Sequence, residues 1–243
     1  MKAVVSLSGG RDSATLLAKV VKEYGSENVF ALSFEYGSKH PEELECAKYL
    51  ANHYNVKEHL IIEIDPNVFS GSTSTLLADG EEVEKDKTYA EITKDNEGKV
   101  DTYIPARNFL FSAYVAAFAE SKAEEYNDEV TCYLAQHADD AIGGAYPDCT
   151  PEFTQAISRA TEISSNGKVH SDSPFINITK NEVLELAVEL GVPLNHTLSC
   201  YEPIKENGEV RECGRCATCL DVKNALEKLG IEYTPTVLRG YNG

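Results

Sequence analysis

The 243-residue chain contains no tryptophan and a single methionine, and its 22 lysines and arginines are outnumbered by 40 acids, giving a formal net charge of −18. So large an acidic excess disfavours a broad nucleic-acid footprint, which depends on clustered basic side chains meeting phosphates. No apolar run approaches the ~20 residues of a membrane helix. Met1-Lys2 leads straight into a strand pattern, with no charged n-region, apolar h-region or cleavage site. A cytoplasmic protein with no membrane and no nucleic-acid partner is expected. Two common nucleotide-binding signatures are also missing: there is no G-x-x-x-x-G-K-[ST] and no G-x-G-x-x-G. That removes a P-loop kinase and the usual dinucleotide-binding fold. What remains has the composition of an ordinary globular chain, 42% hydrophobic and 26% charged, long enough for one large domain with a small appendage.

The most informative stretch is Ala3 to Leu17, AVVSLSGGRDSATLL. A β-branched apolar run ends in Ser8-Gly9-Gly10 and turns within two residues into a helical pattern, giving a strand, a glycine loop and a helix. Such a turn can cradle phosphate. Glycines bring backbone N–H groups close to a ligand, and the first helical turn adds free N–H donors and the positive end of the dipole. The expected nucleotide contacts are Leu7, Ser8, Gly9, Gly10, Arg11, Asp12, Ser13, Ala14 and Thr15. Asp12, Ser13 and Thr15 suit caps or first-turn positions, and Ser8 and Ser13 add hydroxyls. Arg11 either joins the cations around the phosphate or points to water.

Further on, strand and helix patterns alternate. A helix over Asp12–Tyr24 precedes a continuous apolar strand at Asn28–Phe34, a helix over Pro41–His53 and a strand at His59–Ile64. An alanine-rich helix over Phe109–Ala123 leads to a strand at Val130–Ala135. Helices are then expected over Glu152–Ile163 and Lys180–Leu190. This alternation predicts an α/β fold with a Rossmann-like, doubly wound parallel sheet. Between Pro66 and Thr102 periodicity is lost in a polar, serine-rich and charged stretch, either a lid over the nucleotide or an ornamental insertion. Gln136–Thr150 reads as a long polar loop after a strand's C-terminal end, where open α/β sheets bind ligands.

Cysteines concentrate near the C-terminus. Cys200, Cys213, Cys216 and Cys219 are spaced C-x12-C-x2-C-x2-C, the pattern of a closed, four-thiolate structural zinc site without an open coordination position. Iron–sulfur ligation is the rival, weakened by the remaining spacing and the lack of proline after the last cysteine. Cys46 and Cys132 read as small core residues, and Cys149 as ambiguous. The implied organisation is a nucleotide-binding α/β domain over residues 1–195, with 66–102 as insertion or lid, and a zinc-binding segment over 196–243 packed on it.

SGGRDS, Ser8 to Ser13, resembles the pyrophosphate-loop signature of the ATP-pyrophosphatases, whose fold is adenine nucleotide α-hydrolase-like. Joined to the distant cysteines, it resembles the 7-cyano-7-deazaguanine synthase family. Tyr36–Glu43 (YGSKHPEE), Ile104–Asn108 (IPARN), Ala145–Cys149 (AYPDC), Ser199–Tyr201 (SCY) and Cys213–Cys219 (CGRCATC) resemble its other blocks, in the same order and over about nine-tenths of the chain. Four positions depart from the family pattern: Arg11 replaces an aliphatic residue, Ala106 a glycine, Thr150 an arginine and Leu198 a tryptophan.

The resemblance implies ATP-dependent conversion of 7-carboxy-7-deazaguanine and ammonia to 7-cyano-7-deazaguanine through an adenylated carboxylate and then an adenylated amide, releasing AMP and pyrophosphate. Adenylation is needed because a carboxylate is a poor electrophile. It implies ATP, Mg2+ and structural Zn2+ as cofactors, and small molecules rather than nucleic acid as partners; a homodimer is allowed and not demanded. Asp12 is the expected Mg2+ contact, and Arg107 and Lys180 the cations that neutralise phosphate or carboxylate charge. His40, Tyr146 and Asp148 are the expected substrate contacts, with Asp139 as an alternative acid, Phe175 as an alternative stacking ring and His137 as a weaker base. The alternatives are a homologue that stops at the amide or takes another acid, an enzyme of the same loop type that modifies a tRNA base, and a non-catalytic nucleotide-binding partner.

Overall fold

The computed structural model describes residues 1–95 and 100–239. The first half runs β1 (Lys2–Ser6), α1 (Arg11–Tyr24), β2 (Val29–Glu35), α2 (Glu42–His53), β3 (Glu58–Glu63), α3 (Tyr89–Asp95) and α4 (Arg107–Tyr126). The second runs β4 (Val130–Tyr133), α5 (Pro151–Ser164), β5 (Val169–Asp172), α6 (Lys180–Glu189), β6 (Ile204–Glu206), β7 (Glu209–Arg211), α7 (Ala217–Lys228) and β8 (Val237–Arg239).

Five strands form one parallel sheet of order β3-β2-β1-β4-β5, with Val4 of β1 opposite Phe30 on one side and Cys132 on the other. Side chains alternate across a strand, so Ala3, Val5, Val29 and Ala31 enter one apolar layer while Val4, Phe30, Leu32 and Phe34 enter the other. The first layer is closed by α1, α2, α6 and α7 through residues such as Leu17, Leu50, Leu184 and Val222. α4 closes the second with Val115, Ala119 and Ala123, whose small side chains let the helix lie close to the sheet. Full burial of side chains such as Leu16, Leu17 and Phe30 contributes roughly 1.5–3 kcal/mol each. The doubly wound α/β class read from the sequence is the observed one.

Two parts of the architecture lie outside that reading. β5 is a four-residue edge strand, VHSD, with no apolar run to announce it. The cysteine-bearing segment carries an antiparallel sheet of order β6-β7-β8. Its hairpin turns at Asn207-Gly208, both at positive φ, as a two-residue primed turn requires.

The 66–102 stretch is laced to its surroundings. Lys39 Nζ donates to the carbonyls of Gly80 and Glu81 at 3.0 and 2.8 Å, and Ser38 bridges Leu77. The Asp86 N–H donates to the Arg215 carbonyl at 2.8 Å, its carboxylate pairs with the Arg215 guanidinium, and Lys85 bridges Cys216. The stretch also contains α3, a helix that the sequence reading lacks. Residues 96–99 of it lie outside the described part.

Candidate functional site

A cleft of about 280 Å3 opens at the C-terminal ends of β1, β2 and β4, where the chain leaves β1 for β2 on one side and β4 lies on the other. That switch in strand order is where a doubly wound sheet leaves room for a ligand. Ser8, Gly10, Asp12, Ser13, His40, Arg107, Tyr146 and Lys180 all line it.

The loop is braced by its own hydroxyls. Ser13 Oγ accepts the Ser8 N–H at 3.2 Å and donates to the Gly10 carbonyl at 3.0 Å; Ser8 Oγ accepts the Gly10 N–H at 3.1 Å. Gly10 is the helix cap and offers no side chain; of the two positions expected for Asp12, Ser13 and Thr15, cap or first turn, Asp12 and Ser13 take the first turn and none is the cap. The cap comes instead from a distant residue: Ser199 Oγ accepts the Arg11 N–H at 2.9 Å, and the Leu198 N–H donates to the Gly9 carbonyl at 3.0 Å. Among the described residues, the Asp12 and Ser13 N–H groups make no hydrogen bond and are left for a ligand. Gly9, at φ +95, faces away from the cleft; a Cβ there would lie 2.0 Å from the Glu43 carbonyl oxygen. It is glycine because α2 packs on it. Ala14 and Thr15 are fully buried, with Thr15 Oγ1 donating to the Arg11 carbonyl at 2.8 Å, so neither side chain reaches the cleft. Leu7 is 1% exposed and reaches the wall chiefly through its backbone.

Arg11 follows neither of its expected courses. Its guanidinium lies inside the protein and donates from Nη1 and Nη2 to Glu212 Oε1 and Oε2, both at 2.8 Å. Glu212 also accepts the Tyr233 hydroxyl at 3.1 Å and the Thr236 N–H at 3.0 Å. The bidentate fit and the burial explain why the side chain turns from phosphate and water alike.

At the floor of the cleft, Asp12 Oδ2 lies 3.6 Å from His137 Nε2 and 3.9 Å from Lys180 Nζ. Burial pushes the Asp12 carboxyl up, but Lys180 and His137 outweigh it and hold it well below the ordinary carboxylate range. Burial acts downward on His137, yet Asp140 at 3.4 Å and Asp12 raise its pKa. Lys180 opens α6, donates from Nζ to Thr218 Oγ1 at 3.3 Å and is held charged by Asp12 and Asp140 against the cost of burial. Across the cleft Arg107 opens α4, its guanidinium 5.9 Å from the Tyr36 ring and 5.8 Å from Phe111, with no carboxylate partner among the described residues. Ala106 before it adopts a left-handed conformation, φ +53.

Other expected contacts separate. His40 is buried, and both ring nitrogens lack a hydrogen-bond partner; burial pushes its pKa down. Tyr146 stands on the cleft wall, stacked with Tyr89. Asp148 does not line the cleft: it is buried and accepts the Asn108 N–H at 3.2 Å. Asp139 is spent on the Lys180 N–H at 2.7 Å, and Phe175 lies in the apolar core. Asp140, Glu43, Ser199 and Tyr201 belong to the site without having been singled out, although Glu43, Ser199 and Tyr201 fall inside the family-like blocks.

The cysteine tetrad closes one end of the cleft, with Cys200, Tyr201 and Thr218 in its wall. The four sulfurs lie within 4.8 Å of one another, Cys200 to Cys216 at 3.9 Å. Cys213 Sγ accepts the N–H groups of Arg215 and Cys216 at 3.4 and 3.2 Å around Gly214, at φ +69. Such donors stabilise thiolates, and the cluster can hold a metal ion.

Among the described residues no helix is long and apolar enough to cross a membrane. The sequence profile of the family described as queuosine biosynthesis protein QueC matches residues 2–230. A 7-cyano-7-deazaguanine synthase of Rickettsia bellii (strain OSU 85-389) is 34% identical over 232 residues, spanning 95% of this chain and 96% of the relative. The enzyme of the same name from Desulfitobacterium hafniense (strain DSM 10664 / DCB-2) is 36% identical over 236 residues, 95% and 91% of the two chains. Among solved structures, NMN synthetase from Francisella tularensis overlaps with a TM-score of 0.42 at 20% identity, covering 82% of this chain and 65% of that one. With the profile spanning nearly its whole length, the chain belongs to the queuosine biosynthesis protein QueC family.

Proposed function

We propose that the chain is an ATP-dependent 7-cyano-7-deazaguanine synthase. It converts 7-carboxy-7-deazaguanine and ammonia to the nitrile and releases AMP and pyrophosphate in two successive adenylations. The observation that carries this reading is the pairing, in one cleft, of a braced glycine loop with free N–H groups and two cations, Lys180 and Arg107, supplied from opposite faces of the sheet. Such a site suits two anions that must meet, a triphosphate and a carboxylate.

In this scheme the substrate carboxylate attacks the α-phosphorus. Pyrophosphate departs against Gly10, the Asp12 and Ser13 N–H groups and the positive end of α1, with Lys180 balancing its charge. Arg107, which forms no ion pair among the described residues, draws in the carboxylate. Ammonia displaces AMP to give the amide, and adenylation of the amide oxygen lets AMP leave again with formation of the nitrile. His40, whose buried ring nitrogens have no hydrogen-bond partner, and Tyr146 contact the heterocycle. Asp12, held ionised, is the protein's contact for Mg2+, which when bound neutralises phosphate charge.

The metal held by Cys200, Cys213, Cys216 and Cys219 is Zn2+. Tetrahedral bonds of about 2.3 Å place sulfurs about 3.8 Å apart, close to the 3.9 Å between Cys200 and Cys216. A site filled by four thiolates has no open position, so the ion is structural: it fixes Ser199, which caps the phosphate loop. Mass spectrometry of the products tests the reading. Nitrile with AMP supports it; amide alone or no conversion of this acid contradicts it.

A further inference from the structure

Four acids line the cleft, Asp12, Glu35, Glu43 and Asp140, and one of them, Glu43, is half-buried with no partner among the described residues and no use in the chemistry above. Glu43 lies in the first turn of α2 and lines the same cavity as Ser8, Gly10 and Arg107. Its main chain is fixed, because the Glu43 carbonyl is pressed against Gly9 and its N–H donates to the His40 carbonyl at 3.3 Å. Several buried or half-buried acids nearby are engaged: Asp12 with Lys180 and His137, Asp140 with His137, Asp148 with Asn108, Glu42 with Lys205, and Glu212 with Arg11. Glu35, also on the wall, is exposed to water. The Glu43 side chain is half-buried on the cleft wall and, among the described residues, makes neither a hydrogen bond nor an ion pair.

An acid placed beside a phosphate loop repels both anionic substrates, so it needs a cationic or proton-bearing reason to be there. The reaction proposed above supplies one. Ammonia attacks through its lone pair, yet near neutral pH it exists chiefly as ammonium. We propose that Glu43 is the base that takes a proton from the incoming ammonium ion during amide formation, an inference that rests on the synthase reading. The ammonium N–H bond breaks toward the Glu43 carboxylate, leaving ammonia. Its lone pair bonds to the acyl carbon, the C–O bond to AMP breaks with its electron pair leaving on AMP, and the second proton passes to water. Burial, with Glu42 adding to it and Arg107 opposing it, pushes the Glu43 carboxyl up to about 8, where a base for ammonium is useful. The titratable and charged groups around it are Arg107 from α4 and Glu42 and Cys46 on its own helix, with His40 just before that helix.

The test compares E43Q with the unsubstituted protein, reading amide or its nitrile per AMP released with ammonium, and hydroxamate per AMP with hydroxylamine, which is already unprotonated at pH 7. Dividing by AMP removes any loss of folding or adenylation. E43Q should lower the ammonium ratio at least ~10-fold at pH 7 and leave the hydroxylamine ratio within about twofold, as expected for loss of a general base. At constant ammonium ion, the rate in the unsubstituted protein should level off near pH 8. In E43Q it should keep climbing about tenfold per pH unit, so that high pH rescues the variant. Equal loss with both nucleophiles, or no loss, overturns the assignment. If E43Q does not fold, the unsubstituted profile decides alone: a rate that climbs past pH 9 without levelling overturns it. Absence of AMP from the unsubstituted protein with every nucleophile would instead overturn the synthase reading.

Discussion

The Arg11–Glu212 pair offers a sharp test of how the cysteine-bearing segment is fastened to the Ser8–Ser13 loop and α1. The two side chains are 5% and 0% exposed and meet through two 2.8 Å bonds. Removing one partner of such a pair costs about 3–5 kcal/mol, because the other charge is left buried and uncompensated. The two losses should be unequal. In R11L, Glu212 keeps the Tyr233 hydroxyl and the Thr236 N–H, so the cost should be near 3 kcal/mol. In E212L, a guanidinium that cannot shed its proton is stranded, and its Nε already lacks a partner, so the cost should approach ~5 kcal/mol. The R11L/E212L double variant removes both charges and should fall well short of the sum, with a coupling of at least ~3 kcal/mol. Urea unfolding of the metal-loaded protein measures all four corners. At ~2–4 °C per kcal/mol for a chain of this size, R11L should also lower Tm by ~6–12 °C. Additive losses, or R11L within ~1 kcal/mol of the parent, would refute a coupled buried pair.

Three further outcomes follow from the same geometry. Metal analysis should find about one zinc per chain, and removal by a chelator should lower Tm by more than ~10 °C, since a four-thiolate site contributes directly to folding; iron, or no change in Tm, would contradict this. Gly9→Ala must move α2 away from a Cβ at a left-handed position, costing ~2–5 kcal/mol by denaturant unfolding, whereas Gly10→Ala, whose Cβ would press at 3.3 Å on the Ser8 and Ser199 hydroxyls, should cost less stability than Gly9→Ala and weaken ATP binding. Ala106→Gly should stabilise the protein by up to ~1 kcal/mol, because it relieves left-handed strain at the α4 cap at a smaller cost in unfolded-state entropy.

The doubly wound sheet was legible because its central strands are continuous apolar runs and a glycine loop sits directly after the first of them. The cysteine spacing was legible for a similar reason, since ligand geometry constrains local sequence. β5 escaped because an edge strand needs little apolar surface, and VHSD offers a single buried valine. The β6–β7 hairpin carried its signal openly in Asn207-Gly208, but the cysteines on either side drew the reading to metal alone. The cap of α1 and the partner of Arg11 come from residues 188 and 201 positions away, a separation that no local pattern encodes. His137 looked like an isolated loop histidine and is placed against Asp12 only by the fold. Asp148 sits within a family-like block yet turns inward to Asn108, so a block match located the neighbourhood without fixing the direction of the side chain.

The central claim is that the substrate carboxylate attacks the α-phosphorus of ATP at the Ser8–Ser13 loop. Substrate labelled with 18O in both carboxylate oxygens tests it directly. Adenylation of the carboxylate and then of the amide predicts two AMP for each nitrile, each AMP carrying one 18O, with pyrophosphate unlabelled. ADP with labelled phosphate, or AMP without label, would contradict the account.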